Sequence, residues 1–428
     1  MITLNPDQRE AVDQMIAFCK DKSKSLYLLE GSAGTGKTTC VQTVLRELDH
    51  LDFILTAPTN KATKVLREMS EKEGLEGIDC RTIYSVLGLR VQKDSEFVRV
   101  EPLADSDVNQ YHVVVIDEGS MLNKELTAFV NEAAMSTNAK FIVMGDPLQL
   151  PPVGEEKSEV FSIPDNSRLT KVERHDNQIL TFANSLRDCI LNGTMPKFRS
   201  DNDDEGGVYT VDHRRMVSHM AKAYTSEAYE LNPAACKTVA WRNAAVANYN
   251  DMIRRAIYGE VADNTMFMLD ERVVATHPIP SLTDPESFDM VTDEEGTVTE
   301  MDIIQHPMFE DFKVYYLKVE TEFNQTWANC FVVHEDSRKD YEQHLGDLAK
   351  KARERKLPWA SFWKMKNEFF HDIRPCHAIT AHRSQGSTYR SVFVDVEDIL
   401  SNRNLSEALR CLYVASTRAS KILVLKTR

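Results

Sequence analysis

No Cys-x-x-Cys spacing occurs in this chain; its eight cysteines are scattered, with Cys19 and Cys40 the nearest pair. That excludes the common zinc-ligand patterns and a disulfide scaffold, and it suits buried thiols in a reducing cytosol. Long apolar runs are missing too. Nothing approaches the length of a signal core or a membrane span, so the expected location is the cytoplasm. Positive charge is in deficit: 51 Lys and Arg stand against 66 Asp and Glu, a net of −15. The field of the whole molecule therefore opposes nucleic acid, and any strand it binds must lie in a local groove. What remains is ordinary. An apolar fraction of 42% over 428 residues supports two to four domains with substantial cores.

Against that background one stretch stands out, Ser25-Leu26-Tyr27-Leu28-Leu29-Glu30-Gly31-Ser32-Ala33-Gly34-Thr35-Gly36-Lys37-Thr38-Thr39. It reads as a buried strand, a glycine-rich loop and a helix opening at Lys37, the context in which G-x-x-x-x-G-K-[ST] means a phosphate-binding loop. Gly31, Gly34 and Gly36 permit torsions and close approach that turn successive N–H groups inward around phosphate oxygens. Lys37 supplies a point charge between the β- and γ-phosphates, and the Thr38 hydroxyl is placed to ligate magnesium. The expected cofactors are ATP and Mg2+.

The rest of the chain extends an α/β pattern. Asn5-Pro6-Asp7-Gln8 opens a helix with Asn5 as N-cap. Phe53–Ala57 is a strand ending in Pro58-Thr59-Asn60-Lys61-Ala62; Val113–Ile116 delivers Asp117-Glu118; Lys140–Gly145 delivers Asp146 and then Gln149. Strands separated by helical stretches predict a parallel, doubly wound sheet with ligand loops at the strands' carboxyl ends. Between the second and third strands, Leu89–Val100 alternates at period two around Lys93-Asp94-Ser95 and reads as an inserted β-hairpin with Phe97 near its tip. Leu169–Arg174 begins a second unit, Thr238–Trp241 is a strand, and 242–258 a helix. From 259 to about 356 short strands (273–276, 313–320, 327–334) predict a small antiparallel barrel inserted in a second α/β domain, which resumes at 378–380, 391–395 and 422–425. The expected domains are 1–168 with a hairpin insertion at about 86–110, 169–258 plus 372–428, and an inserted 259–371. Trp359, Phe362 and Trp363 crowd beside Pro358, which predicts an aromatic anchor between the inserted domain and the hairpin.

The carboxylate pair after an apolar strand, downstream of a phosphate loop, fits the second element of an NTPase: Asp117 holds magnesium and Glu118 orients and deprotonates the attacking water. Gln149 has the chemistry to sense the γ-phosphate. Phosphoryl transfer also needs cations from beyond the loop, and Arg174 and Arg418 are the candidates.

The ordered set resembles a known family. Gly31 to Thr38, Ala57 to Ala62, Arg81-Thr82-Ile83-Tyr84-Ser85, Val115 to Met121, Gly145 to Pro151, Leu169 to Arg174, Thr380-Ala381-His382-Arg383-Ser384-Gln385-Gly386-Ser387 and Tyr413 to Ala419 look like the successive motifs of superfamily 1 helicases. The T-x-H-x-x-Q-G form is similar to the 1B branch of RecD and Pif1, and the pin-like hairpin with Pro358–Trp363 to its Dda-like members. The resemblance implies two RecA-like domains with ATP between them, an SH3-like barrel, a monomer, and 5′-to-3′ unwinding of DNA. It further implies that Gln8 reads adenine, that the loop from Gly31 through Ser32, Ala33, Gly34, Thr35, Gly36, Lys37 and Thr38 to Thr39 binds ATP, and that Arg174 and Arg418 are arginine fingers. Pro58, Thr59, Asn60, Thr82, Thr380, His382, Gln385 and Ser387 would line a single-stranded DNA path. Relatives often carry Gly or His where this chain has Asn60, so a hydrogen bond to phosphate replaces stacking there. Implied partners are single-stranded and forked DNA, with single-strand-binding and other replication or recombination proteins as accessories; for a phage protein the compartment is the host's cytoplasm. A rival expectation is a DNA-stimulated ATPase that translocates without separating strands.

Overall fold

The computed structural model describes residues 4–75, 77–94, 97–102, 104–171, 178–204, 206–282, 284, 287–322 and 326–427, without the side chains of 90–94 and 97–99. Two six-stranded sheets carry the chain. In the first, the spatial order is Asp79–Thr82, Phe53–Ala57, Val113–Ile116, Lys140–Gly145, Leu26–Gly31 and Asn166–Leu169, every pair parallel. The central strands Phe53–Ala57 and Val113–Ile116 are buried at every position, as expected of strands covered on both faces. Helices Pro6–Lys20, Lys37–Glu47 and Asn60–Lys72 seal one face and Lys124–Ser136 the other. All ends that carry the motifs therefore emerge on one edge.

Leu169 does not open a second unit. It ends Asn166–Leu169, which pairs with the phosphate-loop strand and sets Leu169 opposite Gly31. The first sheet therefore keeps the chain one residue past the expected boundary at 168.

The second sheet runs Ala378–Thr380, Cys236–Ala240, Tyr389–Asp395, Ala419–Lys426, Gly207–Val211 and Asp201–Asn202, parallel except for the last. The exposed edge Asp201–Asn202 opens the acid-rich stretch 201–205 and pairs antiparallel with Gly207–Val211. Between Cys236–Ala240 and Ala378–Thr380 the chain forms an antiparallel five-stranded sheet: Trp327–Val333, Phe309–Thr321, Glu295–His306, Arg272–Ala275 and Ile373–Pro375. The longest hairpin among the described residues, Glu295–His306 with Phe309–Thr321, is half invisible in sequence because the apolar residues of Glu295–His306 (Val298, Met301, Ile303 and Ile304) keep no period of two, with Ile303 exposed and the register shifting after Val298. Pairing of Ile373–Pro375 with Arg272–Ala275 carries this sheet past residue 371.

Leu89–Asp94 and Phe97–Pro102 pair antiparallel, with Asp94 opposite Phe97 at the turn. The Phe97 side chain lies outside the described residues. Helix Trp359–Lys364 rests against Leu89–Asp94. Within it Phe362 packs edge-on to both Trp359 and Trp363, at 5.6 and 5.0 Å between ring centroids.

Candidate nucleotide site and nucleic-acid path

The phosphate loop is shaped by its glycines. Gly34 and Gly36 adopt φ of 80° and 84°, and a Cβ on Gly36 would come within 2.4 Å of Gln8 Nε2. Thr35 is buried and its hydroxyl donates to the Ser32 carbonyl at 2.9 Å, bracing the turn. Lys37 Nζ donates to the carbonyls of Gly31 and Ser32 at 2.7 and 3.2 Å, so the charge is held over the loop's mouth. Ala33, Thr38 and Thr39 are half-buried around it.

Gln8 does two jobs. Its Oε1 accepts from the Asn5 N–H at 3.0 Å, closing a capping box, and its Nε2 donates to the Thr35 carbonyl at 3.0 Å. One amide thus ties the first helix to the loop and retains a second N–H and lone pair.

Asp117 and Glu118 follow Val113–Ile116. Asp117 is pinned by its N–H to Thr56 O at 2.8 Å, and its Oδ1 accepts from the Glu118 N–H at 2.8 Å. Glu118 sits at φ 52°, ψ 42°, a left-handed conformation uncommon for a residue with a Cβ. Such strain is retained where a side chain's aim matters. Burial pushes both carboxyls above their ordinary range; Asp117 raises Glu118 further, while Lys37 and Arg418 pull both down. The charge of Arg418, on the second domain, is therefore felt at this site. Its guanidinium is buried, with Nε on Val414 O at 3.1 Å and Nη1 on Ser387 O at 3.2 Å. Arg174 lies outside the described residues.

Oxygen donors suit a hard divalent cation, and the Asp117 carboxylate with the Thr38 hydroxyl supplies that chemistry on the loop's edge. A second donor cluster, His382, Glu407 and Cys411 within 4.8 Å of one another, mixes nitrogen, oxygen and sulfur.

The strand ends beyond the loop carry small polar groups. Thr59 caps helix Asn60–Lys72 by accepting from the Ala62 N–H at 3.2 Å, with Pro58 and Asn60 half-buried on either side. Thr82 accepts from the Ser85 N–H at 3.2 Å, and on the second sheet Thr380 accepts from the Arg383 N–H at 3.3 Å. His382 is half-buried, which lowers its pKa. Ser387 is buried and, with Asn60, lines a cleft of about 150 Å³ that the inserted domain closes with Val291, Asp293, Glu294, Glu295 and Glu322. Gln385 is turned elsewhere: its buried Nε2 donates to Gln149 Oε1 at 3.3 Å and to Leu150 O at 3.4 Å.

Some groups at this edge escape sequence reasoning. Lys61 bonds Tyr389 Oη at 2.8 Å and Glu295 at 3.2 Å, and Glu295 also meets Lys237 at 3.0 Å. Burial opposes the charge, yet Lys237, Lys61 and Arg272 hold the Glu295 carboxyl well below the usual range. Arg187 and Arg410 reach the loop after Lys140–Gly145. The one available signal is that Arg187 borders the buried face Ile179, Phe182, Ala183 and Leu186 of its helix.

Comparison with known proteins matches residues 3–190 to the AAA domain family and 375–425 to the UvrD-like helicase C-terminal domain. The chain is similar to the ATP-dependent DNA helicase dda of Enterobacteria phage T4, 25% identical with 97% of each chain covered. In fold it is similar to Pif1 helicase from Candida albicans, with TM-score 0.53, 17% identity, and 100% and 95% of the two chains covered. It is also similar to Pif1 helicase from Bacteroides in complex with ADP-AlF3 and ssDNA, with TM-score 0.52, 14% identity, and 99% and 92% covered.

Proposed function

Because the chain belongs to superfamily 1B of the helicases, with Pif1, RecD and Dda, we propose that it is an ATP-driven DNA helicase that tracks single strands 5′ to 3′ and opens duplex at a fork. The observation that carries this is that the phosphate loop with Lys37 and the Asp117-Glu118 pair emerge on one edge of the first sheet, where the charge of buried Arg418 from the second sheet is felt by both carboxyls. A nucleotide bound there joins two bodies, so turnover becomes relative motion.

The chemistry follows from the residues. Lys37 and the loop N–H groups hold the phosphates, and Gln8 offers its remaining donor and acceptor to adenine. Thr38 and Asp117 would hold magnesium, which supplies charge neutralisation at the phosphates. The Glu118 carboxylate accepts a proton from a water as that water's oxygen bonds the γ-phosphorus; the bond to the β,γ-bridging oxygen breaks and ADP leaves. Arg418, with Arg174, offsets charge on the equatorial oxygens, and Gln149 reports the γ-phosphate.

For the strand, Thr59, Asn60, Thr82, Thr380, His382 and Ser387 form a path of small polar groups suited to phosphates whatever the bases. Supporting a wedge is the position of Phe97 opposite Asp94 at the hairpin turn. Stacking one ring on a base is worth about 1–3 kcal/mol, comparable with about 1.4 kcal/mol for a DNA stacking step. Such a wedge is nearly isoenergetic with the pair it opens. The helix Trp359–Lys364, linked through helix Glu335–Arg353 to the antiparallel sheet, taken as an SH3-like barrel, would brace the hairpin from behind. In this division the first RecA-like domain runs through Leu169 and the inserted domain through Pro375.

Forked duplexes with a 5′ or a 3′ tail test the proposal. The protein should unwind the 5′-tailed fork, and Phe97→Ala should lose most unwinding while keeping DNA-stimulated ATPase activity. Unwinding by Phe97→Ala at the parent's rate removes the wedge, and preference for a 3′ tail removes the polarity. ATPase stimulation with no unwinding of either fork leaves a translocase.

A further inference from the structure

The loop after Lys140–Gly145 belongs to the first sheet by sequence and to the second by packing. Leu148 and Leu150 are buried in the core of the second sheet, among Ile179, Leu186, Tyr413 and Val414. Ahead of them, buried Asp146 is held from the same side. Arg187 Nη1 donates to both Asp146 oxygens at 2.9 Å and to Tyr413 Oη at 3.1 Å, while that hydroxyl donates to Asp146 Oδ2 at 2.6 Å. Arg410 Nη1 donates to the carbonyls of Pro147 and Gln149, each at 2.7 Å. Gln149 rides on this turn, its own N–H on the Asp146 carbonyl at 3.1 Å.

We infer that Arg187 is a positioning residue that, with Tyr413, clamps Asp146 and thereby mounts Gln149 rigidly on the second domain, making the loop 146–150 the joint through which nucleotide state reaches the grip on the strand. The inference rests on the proposal that Gln149 senses the γ-phosphate. The physical reason is that a buried carboxylate left without its cation reorganises, because an unpaired charge in a core is costly. Gln149 would lose its fixed aim. Arg410 would still hold the Pro147 and Gln149 carbonyls, and Leu148 and Leu150 would keep the loop buried, so the loss falls on the aim of the loop rather than on the fold. All three polar contacts of Arg187 come from one nitrogen, so a lysine, which is also a single-point donor, can replace them in part; a bidentate fork would not tolerate that exchange.

The test measures single-strand affinity with ADP and with a non-hydrolysable ATP analogue, and takes the ratio as the coupling. Arg187→Gln should shrink the wild-type ratio by roughly fivefold or more, the lower end of usual allosteric couplings, as Gln149→Ala should. Analogue affinity measured without DNA should change little. Arg187→Lys should recover much of the ratio, and Tyr413→Phe should show a smaller loss. If Gln149→Ala uncouples but folded Arg187→Gln does not, the inference about Arg187 is overturned while the role of Gln149 stands. If Gln149→Ala leaves the ratio intact, the sensing role fails and the joint with it. A folded Arg187→Lys as uncoupled as Gln149→Ala overturns the single-nitrogen clamp, as does an Arg187→Gln that weakens analogue binding without DNA as much as it weakens the ratio.

Discussion

The two six-stranded sheets are wound alike and used differently. In each, the first five spatial positions are visited in the order fifth, second, first, third and fourth; the sixth comes last in the first sheet and first in the second. The strand in the fifth position of the first sheet ends in the Gly31–Gly36 loop, over which Lys37 is held by the Gly31 and Ser32 carbonyls. Its counterpart Gly207–Val211 ends in Asp212, whose own carboxylate caps the next helix by accepting from the Arg215 N–H at 2.8 Å. The third strand of the first sheet delivers Asp117, a carboxylate with no lysine in direct contact among the described residues. Its counterpart Tyr389–Asp395 delivers Asp395, paired with Lys426 at 2.9 Å and Tyr249 Oη at 2.7 Å. Where the second sheet could bind phosphate or metal, it carries its own counter-charges. The first-position strands keep one feature in common, a terminal threonine that accepts from an N–H three residues on, Thr82 and Thr380. One scaffold thus yields a reactive edge when left unsatisfied and a structural edge when satisfied internally.

The contrast is sharpest at the charged groups. Lys37→Ala should cut ATP turnover by about a thousandfold, the scale of losing a preorganised charge at a transferring phosphoryl group, with thermal stability nearly unchanged. Turnover near wild type in a folded Lys37→Ala protein would break the comparison. Glu118→Gln should bind ATP and DNA yet hydrolyse about a hundredfold more slowly, the worth of a positioned base; a failure of nucleotide binding would make Glu118 structural. Asp395→Asn, at the matching position, should do the reverse. It leaves Lys426 with Glu397 at 3.3 Å as its remaining carboxylate and should cost about 1–3 kcal/mol of stability, read by denaturant unfolding, with kcat of the folded protein unaltered.

Smaller effects probe the strand path. Despite a net charge of −15, single-strand affinity should fall about sevenfold for each doubling of salt if about four phosphates are neutralised. A flat response would deny a phosphate-tracking groove. Smallest is Trp363→Ala, expected to lower thermal stability with little change in DNA affinity; strong loss of binding at unchanged stability would turn the aromatic cluster into a base platform.

Legibility in sequence divides along the same line. The reactive edge is written in contiguous residues because phosphate chemistry needs fixed types at fixed spacing: Gly31 to Thr38, and Asp117-Glu118 after an apolar run. The strands Phe53–Ala57, Val113–Ile116 and Ala378–Thr380 are likewise readable, being short and buried. Counter-charges are not, because Lys426 meets Asp395, and Arg187 meets Asp146, only once distant segments are folded together. Nor could spacing show that Gln385 turns to Gln149, or that Gln8 also caps its own helix. Glu295–His306 escapes a sequence reading because its apolar residues, Val298, Met301, Ile303 and Ile304, follow no period of two.

The central claim is that nucleotide turnover at the Lys37 edge is geared to a nucleic-acid strand lying across both sheets. Steady-state ATPase activity with and without single-stranded DNA tests it most directly. Strong stimulation by single strands, lost in Lys37→Ala, is the result expected; hydrolysis at the same rate whether or not DNA is present would contradict it.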